Sequence, residues 1–392
     1  ACEKGAQWPL ALCLLKEMPL RMVRPNVITF NAAISACEKG AEWRRALALL
    51  GEMESRNLKP DTITYSAIIG ACAKHAEWEQ ALIVLGVLEQ RAIEPDAFTC
   101  NAAITACEKG AEWQQALVVM GVMEGRALEP DVITYSAAIS ACAKAEQWQK
   151  ALRILKNMER NGCQHNAVIY SAVISACEKG AAWQLALTLL TQMMLRSVEP
   201  TVITYNAAIS ACEKGSEWEQ ALAIQDKMEV HVIEPDVITF NAAITACEKG
   251  AEWEWACVIL DQMALRTIQP DVITLNAAIS ACGKGAEWEL ALIMLKEMEL
   301  RALEPDVITL NAAMSACEQS AEWQHALAIV QEMELRGVDS DVITFNVAIS
   351  TYGKSSQWQQ ALFSLGEMQA RCLEPDVKAY NAAISACERA SL

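Results

Sequence analysis

The sequence predicts an all-α fold, an α-solenoid superhelix of stacked antiparallel helix-turn-helix repeats, and three observations carry that prediction. Asn31, Ser66, Asn101, Ser136, Ser171, Asn206, Asn241, Asn276, Asn311, Asn346 and Asn381 stand 35 residues apart with no slip. Apolar residues within each period recur at helical spacing, and nowhere do they alternate as in a strand. A fixed period of this length marks a stack of small supersecondary units rather than a globule around one core.

The repeat from Val237 to Asp271 shows how each element arises. Phe240, Ala243, Ile244 and Cys247 lie at i, i+3, i+4 and i+7, one face of a first helix. Gly250 is expected to end that helix through its conformational freedom. Trp253, Cys257, Leu260 and Met263 follow at spacings of 4, 3 and 3, which predicts a second helix. Gln269-Pro270-Asp271 closes the repeat: the proline stops the second helix, and the aspartate is placed to cap the next one. Each helix spans about a dozen residues, near the length common for globular proteins. The recurrent tryptophan, from Trp43 to Trp358, opens the second helix and is expected to plug the hairpin. Met53, Met123, Met158, Met298 and Met368 read as core filler, and Ala242, Ala243 and Ala246 as seams of close packing.

Domain organisation follows from the period. One array fills residues 1–392: a partial repeat at 1–26, ten full repeats over 27–376, and a partial C-terminal repeat at 377–392. Ala1 opens in mid-repeat, so the expectation is a fragment of a longer protein. No apolar run of membrane-spanning length occurs. Eleven of the 16 cysteines share one register (Cys2, Cys37, Cys72, Cys107, Cys142, Cys177, Cys212, Cys247, Cys282, Cys317 and Cys387). Equivalent positions in stacked repeats suit small buried hydrophobes, not crosslinks or a zinc site, and imply a reducing compartment.

Function is expected on the face of the first helix turned away from this core. Ile238, Asn241, Thr245 and Lys249 form a stripe at spacings of 3, 4 and 4. Stacking would align such stripes into rows. Lys39, Lys74, Lys109, Lys144, Lys179, Lys214, Lys249, Lys284 and Lys354 make one row, broken only by Gln319 and extended by Lys4 and Arg389. A lysine at a helix C-terminus also complements the helix dipole. That does not explain why a chain of net charge −17 keeps one cation at one register. Glu38, Glu42, Glu52 and their equivalents are expected to face mostly outward, leaving two surfaces of opposite sign. A row of cations beside a row of hydrogen-bonding side chains suits an extended polyanion that offers one group per step, and single-stranded RNA fits that description. The aliphatic residue at the rim, as at Ile238 and Ile273, would wedge between bases. At the equivalent positions stand Ile28, Ile63, Phe98, Ile133, Val168, Ile203, Ile308 and Ile343.

The 35-residue unit, its opening Val-Ile-Thr-Tyr-Asn-Ala-Ala-Ile-Ser, the Ala-Leu-x-x-Leu-x-x-Met of the second helix and the closing Glu-Pro-Asp closely resemble the pentatricopeptide repeat family over the whole chain. The resemblance implies single-stranded RNA binding at one base per repeat, with the protein's amino end at the RNA 5′ end. By the same resemblance the base would be chosen by the fifth and the last residue of each repeat. Asn31 with Asp61 would read U, Ser66 with Asp96 G, Asn101 with Asp131 U, and Ser136 with Asn166 A. Ser171 with Thr201 departs from the common pairs. Asn206 with Asp236, Asn241 with Asp271, Asn276 with Asp306, Asn311 with Asp341, and Asn346 with Asp376 would each read U. The implied target resembles 5′-UGUAnUUUUU-3′. Mitochondrial or chloroplast RNA processing, stability, translation or editing follows from family association alone, with other RNA-processing proteins as further partners.

A helical scaffold for protein partners is the alternative reading, and the acidity favours it. No catalytic constellation, metal site, cofactor motif or small-molecule site is expected within these residues. The repeats ending Asn161-Gly-Cys-Gln-His-Asn166 and Gly337-Val-Asp-Ser-Asp341 lack the closing proline and are candidate flexible joints or weak reading positions.

Overall fold

The computed structural model describes residues 7–390, so Cys2 and Lys4 lie outside the described residues. The described residues form 22 α-helices and no strand. Each helix has 13 residues except Val237–Gly250, which has 14.

Two compact units divide the chain, Ala1–Pro200 and Thr201–Leu392. In the first, Trp8–Leu20 precedes hairpins from Val27–Lys39 with Trp43–Ser55 to Ala167–Lys179 with Trp183–Leu195. In the second, hairpins run from Val202–Lys214 with Trp218–Val230 to Val342–Lys354 with Trp358–Ala370, and Val377–Arg389 closes the described chain. Within each unit every first helix packs on the first helix of the next repeat, and the second helices lie against this layer. Each unit is thus a solenoid of helical hairpins.

Local chemistry fixes the repeat boundaries. Asp271 stands before Val272–Lys284 in extended backbone, and its Oδ1 accepts from the Thr274 N–H at 2.9 Å. In return the Asp271 N–H donates to Thr274 Oγ1 at 3.1 Å. This reciprocal capping box satisfies two orphan donors of the helix terminus. It recurs at Asn26, Asp61, Asp131, Thr201, Asp236 and Asp341. The last residue of one repeat is therefore held rigidly at the start of the next.

The predicted first-helix face is the core: Phe240, Ala243, Ile244 and Cys247 are completely buried. Removing one such aliphatic side chain from water stabilises a fold by roughly 1.5–3 kcal/mol. The cysteine register from Cys37 to Cys317 is buried throughout, and burial pushes the thiols up, to about 11 at Cys37 and about 12 at Cys107. In the second helix the buried face is Ala256, Ile259 and Met263 rather than the expected Trp253, Cys257, Leu260 and Met263; Cys257 and Leu260 are half-buried at its edge. The face is rotated because this helix packs against two first helices, its own and the next.

Two expectations about the turn are corrected. Gly250 lies within the helix, and the left-handed residue is Ala251, with φ of 61°. Gly250 is small because of a neighbour: a Cβ there would lie 2.5 Å from Cδ1 of Trp218 in the preceding repeat. The tryptophan therefore plugs the next repeat's turn rather than its own hairpin. Trp8 over Gly40, Trp78 over Gly110, Trp148 over Gly180 and Trp253 over Gly285 repeat the arrangement. In the two repeats without the closing proline, Gly162 and Gly337 take the left-handed position after the second helix, with φ of 69° and 66°.

Candidate nucleic-acid interface

The positions expected to read and wedge bases lie where the first helix begins, because the cap that starts the helix also orients its first turn. The ten wedge positions, Ile28, Ile63, Phe98, Ile133, Val168, Ile203, Ile238, Ile273, Ile308 and Ile343, are 59–76 % exposed. Large apolar side chains held in water at one register form an apolar row along each unit.

Beside that row the fifth residue of one repeat meets the last residue of the same repeat. Asn31 Nδ2 donates to Asp61 Oδ1 and Oδ2 at 3.0 and 3.2 Å. Asn101 reaches Asp131 at 3.2 and 3.3 Å, and Asn241 reaches Asp271 at 3.2 and 3.1 Å. Asn206 with Asp236 (3.0 Å), Asn311 with Asp341 (3.2 Å) and Asn346 with Asp376 (3.0 Å) make the same bond. Asn276 is tied to its pair through Thr309, whose hydroxyl lies 2.5 Å from Asn276 Oδ1 while its N–H donates to Asp306 at 2.8 Å.

The serine positions differ. The Ser66 hydroxyl turns back to the Thr62 carbonyl oxygen at 2.5 Å, and Asp96 caps its helix by accepting from Thr99. Ser66 is also buried, as are Asn206 and Asn311, so this row is more enclosed than a freely solvated stripe. Ser136 is half-buried, and its partner Asn166 accepts from the Ile169 N–H at 2.9 Å. Ser171 is half-buried in the first unit, and Thr201 opens the second, capping its helix against Thr204.

A residue that sequence reasoning missed joins these pairs. The threonine at the third position of the following repeat donates to the asparagine carbonyl oxygen: Thr64 to Asn31 at 2.6 Å, Thr134 to Asn101 at 2.5 Å, Thr239 to Asn206 at 2.6 Å and Thr344 to Asn311 at 2.8 Å. These threonines are completely buried. Their recurrence in the Val-Ile-Thr opening was the available signal, but a threonine in a helix start reads as capping alone. The hydroxyl in the predicted stripe, Thr245, instead donates to the Asn241 carbonyl of its own helix at 2.7 Å.

The lysine row is not bare. Lys74 Nζ donates to the Glu38 carbonyl oxygen at 2.7 Å, Lys144 reaches Glu108, and Lys179 reaches the Lys144 carbonyl at 3.5 Å. In the second unit Lys249 pairs with Glu213 at 2.9 Å, Lys284 with Glu248 at 2.9 Å, and Lys354 with Glu318 at 3.2 Å. The glutamate register of Glu38 therefore turns toward the lysines of the next repeat, not outward as expected. The geometric reason is that residue 12 of one repeat and residue 13 of the next end adjacent parallel helices. Lys109 is exposed, and the equivalent position of the preceding repeat is Ala73, one of four (with Ala143, Gly283 and Gly353) that lack the glutamate. Lys39 and Lys214 end their helices in the same register.

A second charge ladder runs along the ends of the second helices. Arg91 pairs with Glu54, Arg126 with Glu89 and Arg196 with Glu159, at 2.5, 2.7 and 2.8 Å. Within the second unit Arg266–Glu229, Arg336–Glu299 and Arg371–Glu334 form a ladder of the same kind.

Six of the aspartates expected to read bases are held ionised. Burial works to raise the carboxyls of Asp61, Asp131, Asp236, Asp271 and Asp341. Hydrogen bonds from the threonine N–H and hydroxyl and from the asparagine amide outweigh it and bring them below the ordinary carboxylate value. The Ala379 N–H does most of this at Asp376, which is also lowered. In these six pairs an amide donor thus lies beside a carboxylate acceptor.

Comparison with known proteins places this architecture. The model described as PPR repeat family matches residues 25–74, and the one described as PPR repeat matches 63–92 and 343–373. The pentacotripeptide-repeat region of PRORP matches 97–252, and the pentatricopeptide repeat domain matches 223–285, 258–320 and 293–355. No curated protein matches the chain. Among solved structures, pentatricopeptide repeat protein PPR10 from maize is 21% identical with a TM-score of 0.50; the match covers 100% of this chain and 65% of that one. The same protein in complex with an 18-nt psaJ RNA element is 24% identical with a TM-score of 0.46, over 98% and 55% of the two chains. The PPR domain of Arabidopsis thaliana protein-only RNase P 1 in complex with tRNA is 16% identical with a TM-score of 0.40, over 48% and 95%. The chain therefore spans about two thirds or less of the length of the maize structures. Recurrent matches along the array, and a fold shared with the maize protein, establish that the chain belongs to the pentatricopeptide repeat family.

Proposed function

We propose that this array binds single-stranded RNA, reads one base per repeat, and prefers a strand resembling 5′-UGUAnUUUUU-3′. The observation that carries the reading is the asparagine–aspartate hydrogen bond beside an exposed aliphatic side chain, repeated at one register. Uracil presents a carbonyl acceptor next to its N3–H donor, which complements an amide N–H next to a carboxylate. Cytosine presents the opposite order, a donor amine next to an acceptor nitrogen. Exposed Ile238 and its equivalents supply an apolar surface against which a base can stack.

The electrostatics supply a restrained background. Phosphates compete for lysines already paired with Glu108, Glu213, Glu248 or Glu318, and exposed pairs of that kind are worth little in water. With a net charge of −17, non-specific attraction is weak, and affinity rests on correct bases. The family resemblance supports a role in mitochondrial or chloroplast RNA processing, stability, translation or editing, alongside other RNA-processing proteins.

The test is binding of this oligonucleotide against oligo-C of the same length. A preference for the former of about tenfold or more is expected if each matched base adds even a modest hydrogen-bond increment. Equal affinity for the two overturns the reading.

A second reading, a scaffold for protein partners, is favoured by Val230, Leu265, Leu300 and Leu335. These side chains sit in one register at the ends of the second helices and are 78–89 % exposed. Their replacement by serine would weaken partner capture on that reading and leave RNA affinity unchanged.

A further inference from the structure

Resting on the RNA reading above, we propose that the threonine at the third position of the repeat after an asparagine–aspartate pair positions that pair. On this proposal it sets how strongly that pair distinguishes U from C, and Asn346/Asp376, the one asparagine–aspartate pair of the full repeats followed by another residue (Ala379), is a slack reader.

The hydroxyl of Thr239 lies 2.6 Å from Asn206 Oδ1 and 2.9 Å from Asp236 Oδ1, and it accepts from the Asp236 N–H at 3.1 Å. A hydroxyl has one proton. The shorter contact takes it to Asn206 Oδ1, so the amide carbonyl is occupied inside the protein. The amide nitrogen is then turned to Asp236 Oδ1 at 3.0 Å. Rotating the amide by half a turn would set its oxygen against the carboxylate, acceptor facing acceptor. The asparagine is thus held with its N–H available and its carbonyl withdrawn, the arrangement that suits uracil and opposes cytosine. One buried hydroxyl fixes both members of the pair, because it is bonded to both.

The chain contains its own comparison. After Asn346/Asp376 the third position is Ala379, itself completely buried. Asp376 still caps its helix, through the Ala379 N–H at 2.9 Å, and Asn346 Nδ2 still reaches Asp376 Oδ2 at 3.0 Å. Asn346 Oδ1, however, is shielded from solvent with no hydrogen-bond partner among the described residues. A buried carbonyl left unpaired is unfavourable, so the amide gains by swinging off this geometry. The backbone cap and the reading residues are unchanged there; the missing part is the hydroxyl.

Two variants of the full chain test this, each titrated with oligonucleotides carrying U or C at the sixth or tenth base. Thr239→Val keeps the shape and removes the hydroxyl. Its U-over-C preference at the sixth base is expected to fall about fivefold, the worth of one net hydrogen bond, with the tenth base unaffected. Ala379→Thr restores the hydroxyl, and its preference at the tenth base is expected to rise about fivefold on the same ground, with the sixth unaffected. A gain of selectivity cannot come from misfolding, which lowers affinity for all strands alike.

If the wild-type chain prefers U at the sixth base but Ala379→Thr leaves the tenth unchanged, the positioning role is overturned while the RNA reading stands. The positioning role is likewise overturned if Thr239→Val weakens every oligonucleotide equally. If the wild-type chain binds U-rich strands no better than oligo-C, the RNA reading fails first.

Discussion

Asn241 donates from Nδ2 to both carboxylate oxygens of Asp271, at 3.2 and 3.1 Å, although 30 residues of chain separate them. The contact exists because the aspartate ends the repeat that the asparagine opens, and its helix cap pins it beside the neighbouring first helix. The pair is one chemical unit, and changing either member changes what the repeat offers.

Replacing Asn241 with serine converts this pair to the combination that the family rule assigns to G. The seventh base preference is expected to shift from U to G. Stability should fall by about 1 kcal/mol, because Thr274 and Asp271 each lose a partner. Competition binding with the four bases at that position, together with thermal melting, checks both parts. An unchanged preference for U would refute the assignment.

The paired carboxylates predict a pH profile. Asp236 lies below its ordinary value of 3.8 in the folded chain, as do Asp61, Asp131, Asp271 and Asp341. A depressed folded value means the contribution to stability is complete above the unfolded value and is lost as pH falls through the folded one. Melting temperature should therefore hold steady down to about pH 5 and drop below about pH 4. The Asp236→Asn variant should show a shallower acid decline.

Gly250 and Trp218 predict a reversal of sign. Alanine normally improves an exposed helix position over glycine by about 1 kcal/mol. Here the added methyl meets the Trp218 ring, and overpacking of this kind costs about 1–3 kcal/mol. Gly250→Ala should destabilise the wild type yet stabilise, or leave unchanged, a chain already carrying Trp218→Ala. Denaturant melts of the four chains give the coupling directly.

The lysines predict a split between stability and RNA affinity. Lys284 is engaged by Glu248, whereas Lys109 stands beside Ala73. Lys109→Ala should weaken RNA binding and reduce the slope of log affinity against log salt by up to about 0.7, with stability changed by less than about 0.5 kcal/mol. Glu248→Gln should strengthen binding at low salt by freeing Lys284. An equal salt slope in wild type and Lys109→Ala would remove that lysine from the interface.

Whatever depends on neighbours within one helix or one cap can be read from the chain alone. The 35-residue period, the helices, the buried run of Phe240, Ala243, Ile244 and Cys247, and the aspartate caps are all legible because their partners lie within about two turns of chain. Contacts made one repeat away came from the packed hairpins instead. Packing seated Trp218 on Gly250, turned Glu248 toward Lys284, and brought the Thr239 hydroxyl to Asn206, 33 residues distant. A one-dimensional pattern shows that such residues recur. It does not show which of them meet, because the rotation between adjacent hairpins sets that pairing, and the rotation comes from packing.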